Sequence, residues 1–323
     1  MKLIIQIPCY NEEETLGITV NDLPKSIDGI DCLEYLIIND GSKDNTVQAA
    51  RDAGVHHIVN FKTNKGLAHG FMAGIDACLR LGADIIVNTD ADNQYNGADI
   101  EKLIRPIINQ QADIVIGERP IATTSHFSGM KKRLQVFGSL VVRIASGTKI
   151  PDAPSGFRAY SREAAMHFFV FSEYTYTLET IIQAGVQRMA ITSVPIQTNP
   201  DLRKSRLFKS MTAYVRRSAV TIVRSFMMYK PLRFFSIIGS VCLLAALAIG
   251  IRFLVSYFTG SGGGQVQSLI LLTILSLLGF QSIFLGLQAD IIAANRKILE
   301  EIKYRVKKIE YSIDNSQEKE KEQ

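Results

Sequence analysis

Short apolar runs alternate with amphipathic stretches along the first 120 residues of the chain. Five of the apolar runs are bounded by turn-forming residues and indicate β-strands, at residues 3–7, 34–39, 56–61, 83–89 and 112–117. Four of the stretches between them have helical spacing, at residues 13–23, 45–54, 66–82 and 97–110. This alternation predicts an α/β fold with a mostly parallel sheet that is covered by helices on both faces.

Polar turns follow three of the predicted strands. The first strand leads into PCYNEEE, the second into DGSKDNT and the fourth into DADNQ. In open α/β sheets, ligands bind beyond the carboxyl ends of the strands, which lie along one edge. We therefore expect these three turns to form one binding site.

Residues 234–292 predict a hairpin of two transmembrane helices. Apolar spans occupy about 234–258 and about 266–290, with Arg252 and Asp290 as their only charged residues. Each span approaches or exceeds the roughly 20 residues that are needed to cross about 30 Å of hydrocarbon. The alternative is a buried helical hairpin in a soluble protein.

Charge is distributed unevenly around this hairpin. Residues 1–202 carry 18 basic and 23 acidic residues, whereas residues 203–233 carry nine basic and no acidic residues. Basic residues also follow the second span, so the positive-inside rule predicts an integral membrane protein with both termini and the domain formed by residues 1–202 in the cytoplasm. Residues 203–233 predict amphipathic helices that lie on an anionic membrane surface. Residues 293–323 predict a charged cytoplasmic tail with a frayed, solvated end.

The composition of the 323 residues excludes several classes of protein. A hydrophobic content of 47% with only 21% charged residues excludes a disordered chain. The four cysteines form no CxxC pair, so we expect reduced thiols in the cytosol rather than a disulfide scaffold or a zinc module. We expect no signal peptide, because the opening LIIQIP is short and runs into polar NEEE. We also expect no nucleic acid partner.

The turn DADNQ has the donor set of a metal site. Asp90 and Asp92 are one residue apart, and Gln94 adds an amide oxygen, so the turn could share Mg²⁺ or Mn²⁺ with a diphosphate. The alternative is a solvated turn that caps the next helix. At the second turn, Asp40 could accept a hydrogen bond from a nucleotide base, or form an Asx-type turn. At the first turn, Tyr10 and Glu12 could face a ribose or base, or begin a helix.

Together these segments resemble the family 2 glycosyltransferases over roughly residues 3–206. The resemblance rests on the ordered motifs IPCYNEE, NDGSKDNT, NKGLAHGFMAGI, NTDADNQ, GER and SGFRAYS. It implies a nucleotide-diphospho-sugar transferase domain of the GT-A type that uses a metal-bridged donor. It also implies the donor-binding residues, which are Pro8, Tyr10, Glu12, Asp40, Lys65, Gly66 and Asp90. By the same resemblance, Asp90, Asp92 and Gln94 would hold the Mg²⁺ or Mn²⁺ ion.

Within the family, the chain looks like the branch of dolichyl-phosphate mannose synthase and polyprenyl-phosphate glucosyltransferases. DADNQ, GER, SGFRAYS and the RKSR at residues 203–206 before an anchor fit that branch. The sequence YNGAD replaces the proline-rich continuation that is more familiar after the metal motif, which leaves the sugar open. The chain also has no tryptophan, so it lacks the Gln-x-x-Arg-Trp motif of the processive synthases.

The acceptor can be argued from the chemistry that it needs. A hydroxyl acceptor needs a general base, which the family usually supplies from a Glu-Asp pair; here the region reads FSEYTYTLET, with Glu173 and Glu179 only. A lipid monophosphate is already largely ionised at pH 7 and needs positioning and charge neutralisation instead. Planar guanidinium groups suit that task. The predicted catalytic residues are Asp92, Arg119 and Arg158, and the predicted ligands of the acceptor phosphate are Arg133, Arg203, Lys204 and Arg206.

The sequence therefore predicts a membrane-anchored, inverting glycosyltransferase. It would move one sugar from a nucleotide-diphosphate donor, with a UDP-hexose favoured over GDP-mannose, to polyprenyl phosphate. The alternatives are a transferase that uses a hydroxyl acceptor, for which Glu173 and Glu179 would be tested first, and a catalytically inactive lipid-binding scaffold. Two spans per chain also leave membrane surface that a homo-oligomer could share.

Overall fold

A computed structural model describes most of the chain. The described residues are 1–120, 139, 142–143, 146–170, 176–200, 216, 219–220, 223–224, 226–259 and 266–321, with side chains described as far as residue 311. Two compact units are present, residues 1–222 with 300–323, and residues 223–299. The predicted sites at Arg133, Arg203, Lys204, Arg206 and Glu173 lie outside the described residues.

Strands and helices alternate through the first unit, as the sequence pattern predicts. In chain order the described elements are β1 (Lys2–Cys9), α1 (Leu16–Asp22), β2 (Cys32–Asn39), α2 (Thr46–Asp52), β3 (His57–Asn60), α3 (Leu67–Arg80), β4 (Ile85–Asn88), α4 (Ile100–Ile108), β5 (Ile114–Glu118), β6 (Arg158–Ser161), α5 (Arg162–His167), α6 (Thr177–Val186) and β7 (Ile191–Pro195). A 3-10 turn at Gly97–Asp99 leads into α4. All five strands and four helices predicted before residue 120 are present, with bounds shifted by up to three residues.

The seven described strands form one sheet in the order β3-β2-β1-β4-β6-β5-β7. Only β6 runs antiparallel to its two neighbours, so the expectation of a mostly parallel sheet is confirmed. β1 lies at the centre, where Ile5 pairs with Tyr35 of β2 and with Val87 of β4. Five successive residues of β1 are buried, as expected for a strand that is covered on both faces.

Helices α1 and α4 cover one face of the sheet. Leu16 and Val20 of α1 pack in the same core as Leu103 of α4 and as Ile5 of β1. Helix α3 packs against β1 and β2, and Gly74 allows the close approach, since a side chain there would stand 2.7 Å from Ile38. The polar turns after β1, β2 and β4 therefore project from a rigid, buried base at one edge of the sheet.

The second unit contains the two predicted membrane spans. Helix α7 (Pro231–Phe258) begins close to the expected start of the first span, with Pro231 in its first turn, and helix α8 (Val266–Lys321) begins at the expected start of the second. Both helices are long and apolar enough to cross a membrane, and only 11% and 17% of their apolar windows are buried. Such low burial argues against the alternative of a buried hairpin in a soluble protein.

Glycine residues allow α7 and α8 to pack closely. A side chain on Gly239 would stand 2.8 Å from the carbonyl oxygen of Gly279, and a side chain on Gly279 would stand 2.7 Å from Leu243. Gly286 similarly lies against Phe235. Small residues at helix contacts are the usual means of close association between apolar helices in membranes.

The first part of the C-terminal tail packs against the first unit, and the solvated end predicted at residues 316–323 stays a prediction. Helix α8 continues without a break past residue 292, and its residues from 300 onward belong to the first unit. Tyr311 is 1% exposed, and its hydroxyl donates to Asp76 of α3 at 2.6 Å. The hydroxyl of Tyr304 donates to Glu163 of α5 at 2.6 Å, and its ring stacks on His167. Residues 304 and 311 are two helical turns apart, so this face of the tail is anchored to the domain.

Candidate active site

The turns after β1 and β2 are joined by hydrogen bonds between them. The backbone nitrogen of Asn11 donates to Ser42 at 2.9 Å, and that of Lys43 donates to the Asn11 side chain at 2.8 Å. The nitrogen of Glu12 donates to Thr46 at 2.9 Å. Asn11 adopts a φ of +56°, a left-handed conformation that asparagine tolerates better than most residues. The two turns therefore form one continuous surface, as predicted from the strand order.

Asp40 joins this surface to the loop that precedes α3. Its two carboxylate oxygens accept hydrogen bonds from the backbone nitrogens of Lys65, at 2.7 Å, and Gly66, at 2.9 Å. Gly41 makes the close approach possible, since a side chain there would meet the backbone of Thr63 at 2.6 Å. The structure thus brings together three predicted donor-binding residues, with Asp40 holding the other two by their backbone.

The first turn presents an aromatic face beside this loop. Tyr10 is 39% exposed and is the only Phe or Tyr in the exposed class among the described residues up to 200. Glu12 is partly buried, and its carboxylate accepts a hydrogen bond from Thr15 at 3.0 Å. Pro8 is half-buried near the end of β1, and the ammonium of Lys65 lies over the ring of Phe61 at 4.8 Å. An exposed tyrosine beside a rigid turn can stack on a planar ligand.

The DADNQ turn follows β4 and is held from outside by α1. Thr19 donates to the carbonyl oxygen of Ala91 at 2.9 Å, and Asp22 accepts from the nitrogen of Gly97 at 3.1 Å. Within the turn, Asp92 accepts from the backbone nitrogen of Gln94 at 3.2 Å. Asn93, which follows both carboxylates and precedes Gln94, has a φ of +54°, in the left-handed region that asparagine tolerates.

The charge of Asp90 is poorly compensated in the protein alone. Burial and the nearby charge of Asp92 raise the pKa of Asp90 to about 7, against the opposing effects of Arg119 and of a hydrogen bond from Tyr95. Among the described residues, no cluster of three or more His, Cys, Asp or Glu side chains could hold a metal ion. The turn therefore supplies two carboxylates and the Gln94 amide. That set fits a hard divalent cation whose remaining ligands are phosphate oxygens and water.

Arg119 lies beside this turn in a buried ion pair. Its guanidinium donates to both carboxylate oxygens of Asp152, at 2.8 and 2.9 Å, and the side chain of Asp152 is 1% exposed. The side chain of Arg119 is 12% exposed. A two-point pair of this kind fixes the plane of the guanidinium. Arg119 is thus held near Asp90 in one orientation.

Arg158 requires a correction. The residue begins β6 and is completely buried. Its guanidinium donates to the carbonyl oxygens of Ser155, Ala153 and Thr177 at 2.7–2.9 Å, and to the hydroxyl of Thr180 at 2.8 Å. No surface is left for a lipid phosphate, so the predicted catalytic role gives way to a structural one, in which Arg158 ties the SGFR segment to α6.

Glu179 is similarly enclosed. It lies in the first turn of α6 and is 3% exposed, among neighbours that are also buried. A general base must come within hydrogen-bond reach of the substrate proton. The position of Glu179 therefore disfavours the base that the hydroxyl-acceptor alternative would require, while Glu173 lies outside the described residues.

A buried polar network under the DADNQ turn was not predicted from the sequence. Asn88 of β4 donates to the carbonyl oxygen of Gly156 at 2.9 Å and to the hydroxyl of Tyr176 at 2.8 Å. Gln6 of β1 donates to the Asn88 side chain at 2.9 Å. The signal that could have revealed the network is a pair of amides inside apolar strands, because buried amides need partners.

Comparison with known proteins gives the following similarities. The sequence profile described as "Glycosyl transferase family 2" matches residues 4–169. The chain is 32% identical over 218 residues to a UDP-N-acetylglucosamine–dolichyl-phosphate N-acetylglucosaminyltransferase of Methanococcus voltae. The matched region covers 59% of this chain and 83% of that protein. It is also 32% identical over 167 residues to an undecaprenyl-phosphate mannosyltransferase of Micrococcus luteus. That match covers 50% of this chain and 66% of the mannosyltransferase.

Among solved structures, the fold is similar to that of glucosyl-3-phosphoglycerate synthase from Mycobacterium tuberculosis, in a complex with Mn²⁺, UDP and phosphoglyceric acid. The TM-score is 0.55 at 20% sequence identity, and the match covers 70% of this chain and 78% of that one. The similarity confirms the α/β fold that the strand–helix alternation predicts.

Proposed function

The chain belongs to glycosyl transferase family 2, and from that premise we propose that it transfers one sugar from a nucleotide-diphosphate donor to polyprenyl phosphate. The observation that carries the acceptor is the similarity to relatives named for dolichyl-phosphate and undecaprenyl-phosphate. Two apolar helices that could anchor the enzyme beside such a lipid support it. The catalytic domain and both termini would then lie in the cytoplasm.

The donor would bind across the turns after β1 and β2. Tyr10 would stack on the base, while Pro8 and Glu12 would contact the nucleoside. Asp40 would keep Lys65 and Gly66 in place beside the donor, because its carboxylate already holds their backbone nitrogens. We favour a UDP-hexose over GDP-mannose, in keeping with the UDP-sugar in the name of the Methanococcus voltae relative.

Asp90, Asp92 and Gln94 would hold a divalent cation, Mg²⁺ or Mn²⁺, together with the donor diphosphate. When bound, such a cation neutralises the charge that develops on the leaving diphosphate. The two neighbouring carboxylates support this role, because the negative charge of Asp92 disfavours ionisation of Asp90 and a bound cation would neutralise both.

An oxygen of the lipid phosphate would form the new bond to the anomeric carbon while the bond from that carbon to the donor diphosphate breaks. Attack from the opposite side inverts the anomeric centre, and the nucleoside diphosphate leaves. No proton has to be removed from an ionised phosphate, so positioning and charge suffice. Arg119, which Asp152 orients beside Asp90, would contribute positive charge at this point.

The acceptor phosphate would be held by Arg133, Arg203, Lys204 and Arg206. The basic residues of 203–233 would lie on anionic headgroups, each worth about 1 kcal/mol near such a surface. A phosphate on a membrane lipid could then meet the donor without leaving the bilayer.

A donor screen tests this proposal. Purified full-length protein is incubated with Mn²⁺, polyprenyl phosphate and, in parallel, UDP-glucose, UDP-N-acetylglucosamine or GDP-mannose, and the release of nucleoside diphosphate is measured with and without lipid. Lipid-dependent release with one donor supports the proposal and identifies the sugar. Release that appears only with a hydroxyl acceptor such as diacylglycerol supports the alternative, and no turnover with any donor favours an inactive scaffold.

A further inference from the structure

The part of helix α8 that docks on the domain has a second face, which is apolar and exposed. Tyr304 and Tyr311 point to the domain, where they donate to Glu163 and Asp76. At about 100° per residue, a different set of side chains lies on the opposite side of the helix. We call this set the exposed stripe, and its members are Leu299 (66% exposed), Ile302 (50%), Val306 (55%) and Ile309 (61%).

The exposed stripe has the spacing of a coiled-coil seam. Its members are three, four and three residues apart, and in the sequence Ile313 follows four residues later. This alternation is the heptad pattern, in which apolar residues at positions a and d pack into a facing helix. In that register Leu299 and Val306 are at a positions, whereas Ile302 and Ile309 are at d positions. The stripe therefore fits a second helix of the same pattern.

The charge of this segment argues against lipid as the occupant of the stripe. Between residues 296 and 310 the helix carries nine charged residues, a density that the hydrocarbon of a membrane does not accept. A helix that lies on a membrane surface presents a broad apolar face, whereas a stripe of a and d positions alone is narrow. A narrow stripe between charged flanks is typical of contact with another helix.

The residues that flank the stripe are complementary between parallel copies of the chain. Arg305 is at a g position and Glu310 is at the e position of the next heptad, and these two positions face each other across a parallel seam. Their side chains are 73% and 46% exposed, although each also has an ion-pair partner within the chain, Glu301 and Arg80 respectively. Opposite charges at these positions favour parallel self-association.

We propose that the exposed stripe of α8 packs against the same stripe of other copies of this chain, as a parallel coiled coil. The docked face then points outward, so each copy keeps the contacts of Tyr304 and Tyr311 with its own domain. Leucine at a followed by isoleucine at d favours bundles of three or four helices. A seam this short is weak in solution, but anchoring in one membrane raises the effective concentration of the chains.

Cysteine cross-linking of the full-length protein in membranes tests the contact. Val306→Cys places a thiol on the stripe, where facing core positions of two packed helices come within reach of a disulfide. Glu301→Cys is the matched control, because that side chain is 51% exposed and lies beside the stripe. The wild type gives the background from Cys32 and Cys242, which are half-buried.

After oxidation with copper phenanthroline, we expect most Val306→Cys chains to migrate as covalent dimers on a non-reducing gel. Glu301→Cys should stay at the level of the wild type. Cross-linking of Val306→Cys that is no higher than that of Glu301→Cys would overturn the proposal.

A charge placed in the stripe tests whether the contact holds the copies together. Ile302→Glu changes a residue that is already 50% exposed, so the domain should still fold. Ile18→Glu is the matched control, because it makes the same substitution at an isoleucine of α1 that is 49% exposed. Multi-angle light scattering of the full-length protein in detergent measures the number of copies.

We expect the wild type and Ile18→Glu to contain several copies and Ile302→Glu to contain one. A monomeric wild type, or an unchanged number of copies in Ile302→Glu, would overturn the proposal.

A fluorescent label on Val306→Cys distinguishes a membrane surface from a second copy. In vesicles that contain brominated lipids, a label that touches hydrocarbon is quenched, whereas a label between two protein helices is not. We expect no quenching. Strong quenching would overturn the proposal and assign the exposed stripe to the membrane surface.

Discussion

Replacing Asp90 with asparagine should make the protein more stable and, at the same time, inactive. In the folded protein the pKa of this carboxyl is about 7, against an ordinary value of 3.8, so the folded chain holds the proton more tightly than the unfolded chain. Stability therefore falls as the pH rises from about 4 to about 7, and the full penalty is present above that range. Asp90→Asn keeps the shape and removes the charge.

The size of the pKa shift of Asp90 sets how much stability the Asp90→Asn variant should gain. At about 1.36 kcal/mol per pH unit, it corresponds to a penalty on the order of 4 kcal/mol above pH 7. The new amide must still be accommodated beside Tyr95, so we expect a gain of about 1 to 4 kcal/mol. For a domain of this size each kcal/mol moves Tm by about 2–4 °C. Near pH 5 only the part of the penalty that builds up above about pH 4 is present, so the gain should be less than half of its value at pH 8.

The assay is thermal unfolding by circular dichroism in EDTA, at about pH 5 and about pH 8. At the higher pH, a thiol-reactive dye gives a second readout, because Cys9 and Cys78 are buried and become reactive when the domain unfolds. Asp28→Asn is the matched control, because that side chain is 89% exposed and its removal should change little. An Asp90→Asn protein that melts at or below the wild-type temperature at pH 8 would refute the reasoning.

Three further predictions follow from the contacts described above. Asp40→Asn should raise the KM for the donor more than the KM for the lipid, because one of the two backbone nitrogens held by Asp40 loses its acceptor. Equal rises in the two KM values, measured by steady-state kinetics, would contradict this. Arg158→Lys should destabilise the domain by about 3 kcal/mol or more in denaturant unfolding, since several buried acceptors lose a donor. Unchanged stability with a higher KM for the lipid would instead support the predicted role of Arg158 at the lipid phosphate. Tyr311→Phe should cost about 1 kcal/mol of stability and increase proteolysis of the tail, because Asp76 loses one of its two donors and keeps only Arg80. Proteolysis of the tail at the wild-type rate would show that the Tyr311 hydroxyl does not hold the tail on the domain.

The sequence pattern predicted the first half of the sheet well, because β1, β2 and β4 are near-continuous apolar runs between clear turns. β6 escaped prediction because its four residues include Arg158, whose burial depends on acceptors supplied by distant segments. Composition alone does not show that a guanidinium will be enclosed in this way.

The candidate site was predictable in its motifs and less so in its roles. The order of the strands indicated that the turns containing Asp40 and Asp90 would share one edge. The backbone contacts of Asp40 depend on how the loop before α3 packs on Gly41, which no local pattern reveals. The docked tail had a readable signal, since Tyr304 and Tyr311 lie on one helix face amid charged residues.

The central claim is that the acceptor is the phosphate of a polyprenyl lipid, and it is tested most directly with one donor and two lipids. Full-length protein with Mn²⁺ and the donor chosen by the screen is given either polyprenyl phosphate or the matching polyprenol, and transfer of labelled sugar to lipid is measured. We expect labelled sugar to be transferred to polyprenyl phosphate only, and the Asp92→Asn variant to show no transfer. Equal transfer to the polyprenol would contradict it.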